Sequence, residues 1–325
     1  MRAAGTRRAA GEGGVALPVS AAAREPGSKL ARLNRGRHGW SNYIFILPWF
    51  VGLAALTVGP LLSSLALSFT DFRLSSTPQV VGVDNYTRLL TADPRAVAAL
   101  LVTVIYVVVS VPLTLLVALS LALALNSGVR FVGVFRSMFY LPSLLGGSVA
   151  IAVLWRQVFG AEGLFNDFLG IFGVAGPGSW VSDPDTSLST IIVLHAWQFG
   201  SPMVIFLAGL KQLPREPLEA AEIDGAGSLR RLWSVTLPLL TPVIFFALVM
   251  QVIGSFAAFT PAYVVSNGTG GPIDSLLFYS LYIYEVGFVN FQMGYASALA
   301  WTLLVIIAAS TSLLFWSSKK WVYEP

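Results

Sequence analysis

The chain has no cysteine and only two histidines, His38 and His195, in 325 residues. Without cysteine there is no disulfide framework, no thiolate metal site and no thiol catalysis. Two histidines so far apart cannot build an imidazole metal cluster. Charge is also scarce: only 11% of residues are Asp, Glu, Lys or Arg, against 55% hydrophobic. A soluble domain carries about 25% charged residues to cover its surface. A chain solvated by lipid does not need them. What the sequence has instead is a set of long, uncharged apolar runs with a mean hydropathy of +0.74.

Six such runs read as membrane spans: Tyr43–Phe69, Val97–Leu125, Met138–Trp155, Ser187–Leu210, Leu239–Val264 and Ala296–Trp316. Each reaches the ~17–25 residues that cross the hydrocarbon layer. The runs are continuous and do not alternate with period two, so they read as helices; a spanning segment must satisfy its own backbone, which leaves helices or a closed barrel. The expected fold is all-α, an integral membrane bundle of six transmembrane helices over residues 41–325. Residues 1–40, rich in Ala, Gly and Arg, read as a disordered basic tail. Arg7-Arg8 lies too far before the first apolar run to act as an export signal.

Lys and Arg orient the spans. Of the 20, only Arg73, Arg88, Arg95 and Arg156 fall on one side; the rest sit in the tail, the second and fourth connections and the C-terminal end. By the positive-inside rule both termini face the cytoplasm. The basic net charge of +4 thus reflects membrane orientation and does not indicate nucleic-acid binding. The other side carries Asp93, Asp183, Asp185, Asp274 and Glu285 among its loop charges, with Asp84-Asn85 as a candidate helix cap and Ser266–Pro272, "SNGTGGP", as a turn.

One cytoplasmic connection stands apart: "KQLPREPLEAAEIDGAGSLRRLWSVTLP", Lys211 to Pro238. Pro214 ends the preceding helix. Pro217 suits the first turn of a new one, whose N-terminus favours Glu216, Glu219 and Glu222. Asp224-Gly225 marks a tight turn, and Ser228 can cap a second short helix. The spacing predicts helix–turn–helix between spans four and five. Its exposed face is Glu219, Glu222 and Asp224, and Ala220 and Ala221 are small enough for a partner to approach closely.

This stretch resembles the cytoplasmic EAA loop of permease subunits of binding-protein-dependent ATP-binding cassette importers. That pattern is Glu-Ala-Ala, three residues, Gly, nine residues, an aliphatic residue, one residue, Leu-Pro. Here it reads Glu219-Ala220-Ala221, Gly225, Val235, Leu237-Pro238, with every spacing kept. Trp180–Met203, "YIYEVGF" and "MGYASALAW" resemble the carbohydrate branch, the maltose- and glycerol-phosphate-type permeases. Residues 266–272 are longer than the Thr-x-Gly-Gly-Pro turn usual there.

The resemblance implies half of an importer in a prokaryotic inner membrane. A second six-span permease, a relative of this chain, completes the pathway. Two cytoplasmic ATPases bind and hydrolyse ATP, and an extracytoplasmic binding protein delivers a sugar. The chain itself would hold no cofactor and catalyse nothing. Consistently, it has no Gly-x-x-x-x-Gly-Lys-Ser/Thr phosphate loop. Glu219, Ala220, Ala221, Glu222, Asp224, Gly225, Leu237 and Pro238 would couple to an ATPase cleft. Gly225 would permit close approach of backbones there.

A sugar pathway needs polar groups inside the bundle. Gln251, Gly254, Ser255 and Ala258 follow a 3/4 spacing and share one helix face, which suits either a pathway or tight helix packing. The resemblance adds Phe199, Gly200 and Met203 in the fourth span. His195 reads as a packing histidine before a ligand. Three other functions are weaker. A secondary transporter would place carboxylates in its spans, and none is there. A membrane glycosyltransferase using Asp183 or Asp185 lacks supporting groups, since "SDPD" reads as a proline turn. A permease for glycerol phosphate or another polyol would favour inward Arg or Lys, which the spans lack.

Overall fold

The computed structural model describes residues 38–323 apart from 75, 129, 175 and 177. The expected tail at 1–40 lies outside the described residues as far as residue 37. Apart from one isolated bridge, Thr70 to Val80, every regular element among the described residues is helical. The chain falls into two units, Met1–Pro60 and Leu61–Pro325. Within the first lies α1 (His38–Leu53), followed by a π turn at Ala54–Val58. Helix α2 (Gly59–Ser68) completes the apolar segment Phe45–Ser68, where the sequence predicts Tyr43–Phe69.

The second unit is built around α4 (Pro94–Asn126), which follows the short α3 (Asp84–Thr91). Asp93 starts α4 by accepting a hydrogen bond from the Ala96 N–H at 3.0 Å, with Pro94 in the first turn. Its 33 residues extend about 50 Å at the helical rise, longer than the expected Val97–Leu125. Small side chains, including Ala96, Ala99, Ser110, Ala118 and Ala122, form its buried stripe. They let α8 (Pro184–Trp197), α9 (Gly200–Gln212) and α12 (Leu237–Phe256) pack closely against it.

Among the described residues, five helical segments are long and apolar enough to cross a membrane, and a sixth is so if a bent pair counts as one. That pair corrects the third expected span, Met138–Trp155. It consists of α5 (Val132–Leu145) and α6 (Val149–Val158), which meet at 96° and are followed by the short α7 (Leu164–Ile171). Gly146 and Gly147 bring no side chain to hold a helix together. Ser148 then caps a new one, its Oγ accepting from the Ile151 N–H.

The fourth span, expected to be continuous over Ser187–Leu210, is interrupted at Gln198–Phe199 between α8 and α9. The cause is Pro202, which has no N–H to offer the Gln198 carbonyl four residues earlier. Ser143 of α5 takes over: its Oγ donates to Gln198 O at 2.8 Å and accepts from Ser201 N at 2.9 Å. The remaining spans run past their expected ends, to Ser228–Val265 for the fifth and Met293–Ser318 (α15) for the sixth.

Three local expectations change. Asn85 does not cap α3, whose N-cap is Val83; its Nδ2 donates instead to Ser68 O and Thr70 O, each at 2.8 Å. Gly227, not Ser228, occupies the cap of the short α11 (Ser228–Arg231). The connection between the last two spans is not only a surface loop. After the turn at 266–271, Leu276, Leu277, Phe278 and Tyr279 are fully buried. The Tyr279 N–H donates to Thr103 Oγ1 of α4 at 2.8 Å. This apolar run is too short to register as a span, so the sequence hides its burial.

Replacing Ser143 with alanine leaves the Gln198 carbonyl and Ser201 N–H without that partner, at a cost of about 2 kcal/mol. The expected result is a melting midpoint several degrees lower in detergent, with the chain still inserted. An unchanged midpoint would mean that the break needs no side-chain bridge.

Candidate functional site

The charged connection forms a compact knob. Helix α10 (Arg215–Ile223) follows Pro214 at its N-cap. Its end closes as a paired turn: Ala226 N–H donates to Ala221 O at 2.9 Å and Gly225 N–H to Glu222 O at 3.1 Å. Gly225 carries φ +74°, the left-handed conformation such a turn requires. A Cβ added there would meet nothing within 4 Å. Within this chain, then, the glycine answers a backbone angle and not a close approach.

Glu222 Oε2 pairs with Arg231 Nη1 at 2.9 Å, tying α10 to α11. Glu219, Ala220, Asp224 and Gly225 are exposed, while Ala221 is half-buried. Leu237 and Pro238 open α12 after a π turn at Leu232–Thr236. The sequence reading missed the apolar side of the knob. Ile223, Leu229 and Trp233 are 87%, 68% and 66% exposed. Their spacing around the glycine turn was the available signal.

Farther along α12, the expected pathway residues separate. Gln251, Gly254 and Ala258 line a cavity of about 340 Å³ together with His195, Gln198 and Tyr106. Gln251, His195 and Gln198 also bound a smaller void of about 140 Å³ beside Ser143. Ser255 lies buried behind this wall, its Oγ 3.5 Å from His195 Nε2. The His195 Nδ1 pairs with the Tyr106 hydroxyl at 2.9 Å. Met203 is fully buried in the core. Gly200 packs against α5, where an added Cβ would fall 2.5 Å from Phe139 O. The Phe199 ring rests on Phe139, 6.0 Å between centroids. The structure thus brings three of the seven residues to the cavity, and the other four serve the packing around it. Tyr106 escaped the sequence reading because one tyrosine in a long apolar run reads as core.

At the opposite end of this unit from α10, charges scattered in sequence form one network. Arg95 holds Asp274 with two bonds of 2.9 Å and Glu285 with one of 2.7 Å. Asp274 and the preceding Ile273 both adopt positive φ, 58° and 51°. The guanidinium fork fixes this strained turn. Asp93 Oδ2 accepts from the hydroxyls of Tyr282 and Tyr295, each at 2.6 Å. Burial disfavours the Asp93 charge, but the two hydroxyls and the Ala96 N–H outweigh it and hold the carboxyl below its ordinary value. In turn, Tyr282 is pushed up by burial and by its bond to Asp93. The sequence reading counted these groups only as loop charges.

Among the described residues, up to six apolar segments, two of them broken beside a small polar cavity, and a charged helical knob between the fourth and fifth define a helical membrane transport protein. The pattern of the family described as "Binding-protein-dependent transport system inner membrane component" matches residues 87–322, and the chain belongs to that family. It is 47% identical to the "Probable ABC transporter permease protein YesP" of Bacillus subtilis (strain 168), over 87% of this chain and 92% of that protein. It is 34% identical to the "Lactose transport system permease protein LacF" of Rhizobium radiobacter, over 87% and 94%. Its fold matches a chain of a bacterial alginate ABC transporter, solved in complex with an alginate pentasaccharide-bound periplasmic protein. That match has a TM-score of 0.75 at 18% identity, over 87% of this chain and 95% of the other.

A depressed Asp93 pKa contributes stability above the unfolded value of about 3.9, and that contribution is lost as pH falls through the still lower folded value. Below about pH 4 the melting midpoint of the wild type should therefore drop more steeply than that of Asp93→Asn, which has no such charge to lose. Parallel pH profiles, measured by thermal unfolding in detergent, would contradict the network's role.

Proposed function

We propose that this chain is the permease subunit of an ATP-driven sugar importer. It forms half of the translocation pathway in a prokaryotic inner membrane, with both termini and α10 on the cytoplasmic side. The observation that carries this reading is the complete EAA spacing, Glu219 through Pro238, realised as an exposed helix and glycine turn. Family membership and relatives named for sugar transport support it. The spans lack inward Arg or Lys, which favours a neutral sugar over the alternative of glycerol phosphate or another polyol compound.

In this reading Glu219, Ala220, Asp224 and Gly225 enter a cleft of a cytoplasmic ATPase, and Glu222 is held by Arg231 to keep the knob rigid. Leu237 and Pro238 root the knob in α12. When two ATPases close on ATP, the knob moves as a body and carries α12 with it. Gln251 and Gly254 lie on that same helix and Ala258 just past its end; these three would meet the sugar, with Ser255, Phe199, Gly200 and Met203 packing around them. A second, related permease supplies the other half of the pathway, and an extracytoplasmic binding protein delivers the sugar to the Arg95 end. ATP is bound and hydrolysed by the separate subunits.

Gly225→Asp tests the coupling. A side chain at φ +74° distorts the turn, and an added carboxylate changes the docking face. Sugar uptake by cells should be lost while the chain remains in the membrane at its normal level. Uptake and sugar-stimulated ATPase activity equal to wild type would refute the docking role.

A further inference from the structure

We infer that Phe259, Tyr263, Tyr284 and Phe288 form a saccharide-stacking platform at the mouth of the polar cavity, taking the apolar faces of pyranose rings before they reach Gln251 and His195. The inference rests on the sugar-importer reading and adds a site that the coupling knob and the cavity do not supply.

The four rings come from two places. Phe259 precedes the short α13 (Thr260–Val265), which carries Tyr263; Tyr284 ends α14 (Tyr279–Tyr284), and Phe288 lies in the π turn that follows. The four-residue spacing in each pair puts both rings on one side of its segment. Phe259 and Tyr263 stack at 5.2 Å between centroids, and Tyr284 and Phe288 at 5.6 Å, both with planes 23° apart. Tyr284 joins the pairs, 5.4 Å from Phe259 and 5.5 Å from Tyr263.

Such a cluster would be ordinary packing if it were buried. It is buried only on one side: Phe259, Tyr263 and Tyr284 are half-buried against the core, and Phe288 is 61% exposed. An aromatic belt facing lipid is the other common use of exposed rings. Phe259 argues against it, since this residue lines the same cavity as Gln251, Gln198 and His195. Through Phe259 the cluster reaches that cavity. Arg156 and Asn267 pair with each other two residues past the end of α13, and the Tyr263 ring lies against the neighbouring Gly268.

This combination suits one ligand chemistry. A pyranose ring presents weakly positive C–H groups on a face and hydroxyls around its rim. The electron-rich faces of aromatic rings complement the first, and planar polar side chains complement the second. Two stacked pairs offer more than one ring-sized face, so a disaccharide or trisaccharide gains more than a monosaccharide.

The test uses cells carrying the intact importer and a panel of radiolabelled sugars: glucose, galactose, lactose, maltose and maltotriose. With Tyr284→Ala, KM for the transported di- or trisaccharide should rise about tenfold, the scale of one lost ring contact, with the maximal rate within about twofold. Tyr284→Trp should restore it. Phe288→Ala, at the most exposed ring, should give the same direction with less demand on folding. Unchanged KM in both alanine variants at normal membrane level overturns the platform alone. A wild-type chain that imports no sugar in the panel, although bound to its ATPase, overturns the sugar reading and the platform with it.

Discussion

A backbone carbonyl freed inside an apolar layer has no water to turn to, and much of this structure follows from that constraint. Pro202 frees the Gln198 carbonyl, and Ser143 on a neighbouring helix answers it while also receiving the Ser201 N–H. Because one hydroxyl serves both sides of the break, the interrupted span and the bent third segment are locked to each other. Gly146 gives Gln198 room to lie against the bend, for a Cβ there would fall 2.3 Å from the glutamine side chain. The polar cavity exists because these interruptions leave side chains such as Gln198 and His195 facing inward where an unbroken apolar helix would fill the space.

The same constraint organises the two ends of Leu61–Pro325. At one end the turn after α10 closes its own carbonyls through Gly225 and Ala226, and the Glu222–Arg231 pair ties α10 to α11. At the other, Arg95 and Asp93 gather Asp274, Glu285, Tyr282 and Tyr295 around the start of α4. That network seats the buried run Leu276–Tyr279 against the long central helix. Helix α12 links the regions: its first residues carry the knob, its far end carries Gln251 and Gly254, and Ala258 follows just past that end.

How much of this could be read in the sequence depends on the range of each interaction. Span positions came through because hydropathy is a property of a local window, and the EAA helix and glycine turn because capping and positive φ depend on neighbouring residues. The broken third span did not, although Gly146-Gly147 and Ser148 were visible, because the bend is held by contacts far along the chain. Arg95 finds Asp274 at a separation of 179 residues, and no local pattern announces such a pair. The stripe of Gln251, Gly254 and Ser255 on α12 was legible from its 3/4 spacing. Which of its members open to the cavity was not, since Ser255 and Gly254 differ only in what packs against them. Trp233 and Ile223 look like span or core residues by type, and only the fold leaves them outside.

The central claim is that α10 is a docking element for a separate ATPase. The most direct measurement is a mild-detergent pull-down of the tagged full chain from its native membrane, with mass spectrometry of what accompanies it. The account predicts a second six-span permease and a soluble ATPase in the eluate. Recovery of the chain alone, with the ATPase present in the same cells and left unbound, would contradict it and reduce the knob to an exposed loop.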